Sequence, residues 1–490
     1  MTLVLHIMQY ARCVVARALT FWLMGITARR VEVEAHLVDG VPSFVVVGLA
    51  DRAVQEARQR VRSGITSAEY RFPGTRLTVN LAPAQERKEG SGFDLAIALA
   101  VLAVSRQAPV ERVARVAAAA ELGLDGRLRP VRGALAMAEA ARRAGVEALI
   151  VAAESAVEAG LGGGLDIIAA RDLRHAVEIL LGRAEPAAVP EPAAVDEGGG
   201  PDLGDVRGQP RARRALEIAA AGRHNLLMTG PPGSGKTMLA RRLPGILPPL
   251  EPAERLEVTR IHSAAGLLAP GTLVRRRPFR APHHSASAAA LIGNARLRPG
   301  EVSLAHRGVL FMDELPEFTR PALEGLRMPL EERRVHLARA HGAVTLPADC
   351  IVVAAMNPCP CGMAGDPDRE CTCSQARRSA YLARISGPLL DRFDLRVEAP
   401  RAAAHAAPGE PSEVVAGRVV AARRILAGGA AGLEPGAAAL LDRAVSRLHL
   451  SGRGADRARR VAGTIAALAG ADRAGEEHMA EALSFRGAAG

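Results

Sequence analysis

Apolar and polar positions alternate through Val31–Leu37, the pattern of a strand with one buried face, and Ser43–Val47 is a short apolar run. Asp51–Ser63 spaces its apolar residues at the helical period among Arg and Glu, predicting an amphipathic helix. Strands are then expected at Arg76–Leu81, Val113–Ala119 and Ala148–Ala152, with helices at Phe93–Ser105 and Ala134–Ala144. Strands alternating with helices predict an α/β domain over residues 1–184. The period disappears in Glu185–Gly200, whose Pro, Ala, Gly and acid read as a linker, extended here to residue 205. It returns over residues 206–400, with short apolar strands at Asn225–Met228, Gly308–Met312 and Cys350–Ala355 and a helix at Met238–Leu243. That is the pattern of a parallel sheet. Residues 401–490 are Ala-rich and helical in period, predicting a small α-helical C-terminal domain.

A length of 490 residues fits three domains, and 49% hydrophobic with 23% charged residues excludes a disordered or fibrous chain. Aromatic residues are only 3%, which disfavours a nucleic-acid binder that works by base stacking. The net charge is +11, and 61 of the 63 basic residues are arginine, since only Lys88 and Lys236 are lysine. Such a balance allows a polyanionic partner without identifying one. Five of six cysteines fall between Cys350 and Cys373, unlike the framework of a small secreted domain. The apolar stretch over residues 1–28 is interrupted by Arg12 and Arg17, so neither a signal peptide nor a membrane anchor is expected, and a cytoplasmic location is.

Gly230, Pro231, Pro232, Gly233, Ser234, Gly235, Lys236 and Thr237 complete the motif G-x-x-x-x-G-K-[ST] between a strand and a helix. Backbone N–H groups of such a loop converge on phosphates, the lysine reaches the β- and γ-phosphates, and the threonine hydroxyl ligates Mg²⁺. ATP and Mg²⁺ are therefore the expected cofactors. Val309–Glu314 is four apolar residues ending in two carboxylates, suiting Asp313 to the Mg²⁺ shell and Glu314 to orienting the attacking water. Asn357, at the tip of the Cys350–Ala355 strand, is placed to contact the γ-phosphate or the water, or simply to end the strand.

These motifs, with SGPLLDRFDL over Ser386–Leu395, resemble the AAA+ ATPases of the magnesium-chelatase and minichromosome-maintenance branch. Arg277–Ala295, Pro299–Phe318 and Ala354–Gly362 resemble more closely the magnesium-chelatase-like ComM/YifB proteins. The likeness runs from Ala16 to Leu483, and residues 1–15 lie outside it, as an extension or a misassigned start. It implies a homo-oligomeric ring, expected to be a hexamer, with each ATP between neighbouring subunits. Arg392 then takes the arginine-finger position, and Arg457, in a stretch similar to the sensor-2 helix, the phosphate-sensing position. The activity implied is ATP hydrolysis driving branch migration or helicase-type remodelling of single-stranded or branched DNA, in recombination of incoming DNA. A magnesium-chelatase motor subunit, a protein-remodelling ATPase and an ATP-dependent protease are the alternatives.

Gly126–Ser155 and Lys88–Ala100 are similar to the proteolytic domain of Lon proteases. The serine and lysine positions of that domain fall here on Gly92 and Leu135, so a Lon-like fold without peptidase chemistry is expected. Ser91 with Lys88 is a pair outside that pattern. Cys359, Cys361, Cys371 and Cys373 form CxC-x9-CxC, which either encloses Zn²⁺ or is a reduced loop. Arg333–Pro347 reads as a hairpin, placed by the resemblance at a channel-lining position. Arg333, Arg334, Arg339 and His341 are its candidate DNA contacts, against the plainer reading of a solvated charged hairpin. His283 and His284 suit channel lining or structural roles equally.

Overall fold

The computed structural model describes residues 15–48, 52–84, 88, 90–191, 200–269, 271–339, 342–366, 369–401, 406–429 and 432–486. Its first sheet holds β1 (Val15–Met24), β2 (Thr27–Val38), β3 (Ser43–Val47), β4 (Arg76–Ala82) and β5 (Ala117–Ala119). A short hairpin, β6 (Glu121–Leu122) and β7 (Leu128–Arg129), leads to β8 (Ala148–Ala152) and β9 (Asp166–Ala170). The strand order is β3-β4-β2-β1-β5-β8-β9. β1 runs antiparallel to β2 and parallel to β5, so the N-terminal apolar stretch supplies a central strand. Arg17, which interrupts it, is exposed and lies 3.3 Å from Glu34, its cross-strand partner on β2.

One strand in this region is shorter than its pattern suggested. Val110–Arg115 is a helix, and only the buried Ala117–Ala119 is extended. Period 2 would have put Arg115 on the same face as Val113 and Ala117. The helix buries Val113 alone and places Glu111 in its first turn and Arg112 and Arg115 in its last, matching the helix dipole. The helix Asp94–Val104 is buried along its whole length.

The second sheet is parallel, with order β11-β12-β15-β10-β16: β10 (Leu226–Thr229), β11 (Phe279–Arg280), β12 (Val309–Met312), β15 (Ile351–Met356) and β16 (Leu395–Glu398). Between β12 and β15 stands the antiparallel hairpin of β13 (Arg334–Arg339) and β14 (Gly342–Pro347). The helix expected at Met238–Leu243 is instead two, Lys236–Ala240 and Leu243–Ile246. Pro244 explains the break, since it donates no N–H and is tolerated only in a helix's first turn.

Helices Ser412–Ala427, Pro435–Leu448, Gly452–Leu468 and Glu476–Ser484 pack onto the second sheet through the helix Pro210–Gly222, sharing one core in which Leu216, Val353, Val461 and Met479 are buried. The helix Pro252–Ala265 joins the first sheet's domain to the second. Ser263 Oγ accepts the Gly133 N–H at 2.9 Å and donates to Glu158 at 2.5 Å, and Arg260 lies 2.9 Å from Glu139. Burial raises the Glu158 carboxyl above its ordinary range. Among the described residues no helix is long and apolar enough to cross a membrane.

Candidate functional site

β10 lies between β15 and β16, so the chain leaving Thr229 enters the glycine loop at the carboxyl edge of the sheet. Gly233 and Gly235 have φ of +76° and +86°, which L side chains rarely adopt. A Cβ on Gly230 would stand 2.1 Å from the Ala399 carbonyl oxygen, so only glycine fits there. Lys236 is 8% exposed. Its ammonium donates to the carbonyls of Gly230 at 2.7 Å and Pro231 at 2.9 Å, and reaches Ser234 Oγ and Asn357 Oδ1 at 3.4 Å each. Burial lowers its pKa, while Asp313 and Glu314 oppose the shift.

The Thr237 hydroxyl donates to Asp313 Oδ2 at 2.7 Å, which brings together the hard oxygen ligands Mg²⁺ favours. Asp313 Oδ1 accepts the Glu314 N–H at 3.0 Å. Glu314 has φ +51°, a left-handed conformation that costs a non-glycine residue about 1–3 kcal/mol and recurs at functional sites. Its carboxylate lies 3.0 Å from His284 Nδ1, and the His283 ring packs on His284 with centroids 4.0 Å apart. Sequence reading gave His284 only a channel-lining or structural role, with the HH pair as the signal. Gln209, at φ +56°, donates its amide to the carbonyls of Ser234 at 3.1 Å and of Pro400, clamping the loop from behind with no sequence signal at all. Lys236, Thr237, Asp313, Glu314 and Asn357 thus converge as the motifs suggested.

Arg392 and Arg457 do not join them. Asn225, which precedes β10 and so marks the opposite edge of the sheet, donates its N–H to Asp394 at 3.0 Å. Asp394 also holds Arg457 at 3.5 Å and Arg460 at 3.4 Å. Arg392, 5% exposed, donates to the Pro388 carbonyl at 2.7 Å and to Glu331 at 2.5 Å, and its Nε is buried without a partner. The Arg392 guanidinium holds the Glu331 carboxyl below its usual range. These groups line a cavity of about 380 Å³. Within one chain the cluster is therefore separated from the phosphate loop by the length of β10. Arg333 lines the same cavity, 3.5 Å from Asp349, rather than extending along an arm of the hairpin as expected. Its φ of +56° ends the preceding helix, and its side chain stays about half exposed beside Asp349.

On the hairpin itself Arg334 and Arg339 are exposed, while Val335, Leu337 and Leu346 are buried. His341 lies outside the described residues. The hairpin rests on the first sheet's β1–β2 turn: a Cβ on Gly342 would lie 3.4 Å from Met24 Sδ, and one on Gly25 would touch Leu346 and Val344 at 3.3 and 3.4 Å. Near that turn the Ser91 hydroxyl donates to Glu121, while the buried Lys88 ammonium donates to the carbonyls of Gly48, at 3.2 Å, and Pro83.

The sulfurs of Cys359, Cys361, Cys371 and Cys373 lie within 4.8 Å of one another, with three separations of 3.4–3.6 Å. Thiolates about 2.3 Å from a tetrahedral Zn²⁺ would be spaced only slightly wider, so the donor set fits that metal. The Met363 N–H and then the Cys359 thiol pull Cys361 down to about 6. Cys350 stands apart, with burial pushing its thiol up to about 12. The knot abuts the phosphate loop: a Cβ on Gly362 would lie 2.5 Å from Pro232 Cδ.

Three family models match: magnesium chelatase, subunit ChlI, over residues 202–407; subunit ChlI of Mg-chelatase over 33–155; and the magnesium chelatase subunit ChlI C-terminal region over 427–486. An uncharacterized protein, YifB, of Salmonella typhimurium is 42% identical, across 94% of this chain and 95% of its own length. The competence protein ComM of Haemophilus influenzae is 41% identical, across 94% and 96% respectively. The Holliday junction branch migration complex subunit RuvB of Mycolicibacterium vanbaalenii is 29% identical over 48% of this chain and 52% of its own.

Proposed function

We propose, from the premise that this chain belongs to the magnesium-chelatase-like ComM/YifB family of AAA+ ATPases, that it is a ring-forming motor coupling ATP hydrolysis to remodelling of DNA. The observation that carries the ring is the separation of the ATP machinery between two edges of one sheet. Lys236 and the loop amides would hold the phosphates, Thr237 and Asp313 the Mg²⁺, and Glu314, seated by His284, would orient the water, with Asn357 beside Lys236. Arg392 and Arg457 would complete the nucleotide site of the next subunit, stabilising charge on the transferring phosphoryl group. A head-to-tail ring brings the two edges together at each interface, and a hexamer is the expected closure.

Zn²⁺ on the four cysteines would fix the segment that follows Asn357, and through Gly362 it would brace Pro232 of the phosphate loop. The DNA substrate is supported by the exposed Arg334 and Arg339 of the hairpin and by the partial likeness to a branch-migration subunit. A second reading, a chelatase-type motor inserting Mg²⁺ as cargo, is favoured by the descriptions of the matching family models. The experiment that separates them measures binding and ATP turnover with single-stranded, duplex and four-way-junction DNA across a salt series. A DNA motor binds at least one of these with steep salt dependence and is stimulated by it. Absence of both with every DNA favours the chelatase reading.

A further inference from the structure

We infer that the cleft between the first sheet's domain and the ATPase sheet's domain is a second binding site, taking a short stretch of single-stranded nucleic acid. This rests on the DNA reading above. The cleft encloses about 710 Å³, within the range of ligand sites. Its cations come from both sides: Arg132 from the first domain, and Arg296 and Arg298 from the loop after the helix Ala288–Ile292. Arg132 and Arg296 are exposed and have no acidic partner among the described residues, so their charge is available to an anion. Glu56 and Glu121 also face the cleft, but Glu121 already accepts the Ser91 hydroxyl and lies 3.8 Å from Arg129.

A second observation is independent of charge. Trp22 lines the cleft at 7% exposure, and its indole N–H is buried without a hydrogen-bond partner. Continuity with the hairpin favours nucleic acid over an acidic peptide. Gly25 lines the cleft and also contacts Val344 and Leu346 of the hairpin that exposes Arg334 and Arg339. A single strand, with one phosphate at every nucleotide, would follow this path from the hairpin arginines to the cleft arginines.

Trp22 is the chain's single tryptophan, so its emission reports on the cleft directly. The test titrates the full chain with short oligothymidylate and with an oligoglutamate peptide, following Trp22 emission and anisotropy of the labelled ligand at several salt concentrations. The oligonucleotide is expected to shift Trp22 emission. Arg132→Ala with Arg296→Ala, at a matching melting temperature, should lose the shift and lower the log-affinity against log-salt slope by about 0.7 per lost contact, about 1.4 in all. Arg334→Ala with Arg339→Ala should bind more weakly yet keep the shift at saturation. A wild-type slope and shift in the cleft variant overturn the proposal, as does wild-type DNA binding that leaves Trp22 unmoved. A shift with the peptide alone makes the cleft a peptide site. No DNA binding by the wild type defeats the DNA reading itself, whereas cleft failure alone leaves hairpin-dependent binding intact.

Discussion

Glu331 holds Arg392 at 2.5 Å through one carboxylate oxygen and Arg453 at 3.1 Å through the other. In the proposed ring, a phosphate of the neighbouring subunit would have to take the place of that carboxylate before Arg392 could stabilise it. Glu331→Gln weakens the hold, so turnover should rise severalfold in steady-state phosphate release. The same change in an Arg392→Ala background should do nothing. A fall in turnover, or an equal effect in both backgrounds, would show that Glu331 positions the guanidinium instead of competing for it.

In the proposed mechanism Lys236 would touch nucleotide in the ground state, whereas Glu314 would act on the attacking water. Lys236→Ala should therefore abolish binding of a fluorescent ATP analogue, and Glu314→Gln should bind it and stop turnover. Arg392→Ala should bind normally and lose about 10³–10⁵ in rate, the range for arginine fingers. His284→Ala should retain binding and slow turnover less than Glu314→Gln, because His284 acts only by seating that carboxylate at 3.0 Å.

The four-thiol knot should carry about one Zn²⁺ per chain in protein purified without chelator, measured by elemental analysis. Cys359→Ser with Cys371→Ser should lose the metal. Because Gly362 lies against Pro232, the variant should also bind nucleotide more weakly. Metal-free protein that folds and binds nucleotide normally would remove zinc from this account.

Burial pushes Asp94 up to about 6, although Arg60 donates to both its oxygens at 2.7 and 3.1 Å. A carboxyl whose folded pKa is raised contributes most below its unfolded pKa, and that contribution is lost as pH rises through about 6. Arg60→Met removes the countercharge and raises the folded pKa further. The variant's deficit should therefore widen between about pH 5 and pH 8, toward the ~3–5 kcal/mol of a broken buried pair. Urea unfolding at both pH values measures it, and a deficit independent of pH would contradict the assignment.

The residues at the carboxyl edge of the second sheet were legible because phosphate chemistry dictates residue types within short contiguous stretches. Leu226–Thr237 and Val309–Glu314 each carry a strand, the turn after it and the candidate functional side chains. What sequence could not supply was meeting across long separations. His284 reaches Glu314, Gln209 reaches Ser234, and Arg457 joins Arg392 through folding of the whole chain, with no local period to announce it. β1 was hidden for another reason: from Ala18 to Met24 it is largely buried on both faces at the middle of the sheet, so that part shows no polar/apolar alternation. At Val113 the pattern misled because a six-residue helix burying one side chain looks like half a strand.

The central claim, that each ATP site is completed by a neighbouring chain, is tested most directly by mixing Lys236→Ala and Arg392→Ala subunits and measuring ATP turnover. Alone, each is expected to be nearly inactive. Random head-to-tail mixing in equal amounts pairs an intact loop with an intact Arg392 at about a quarter of the interfaces. Turnover recovering toward that fraction of wild type is the expected result. Mixtures no more active than their components, in rings shown to exchange subunits, would contradict it.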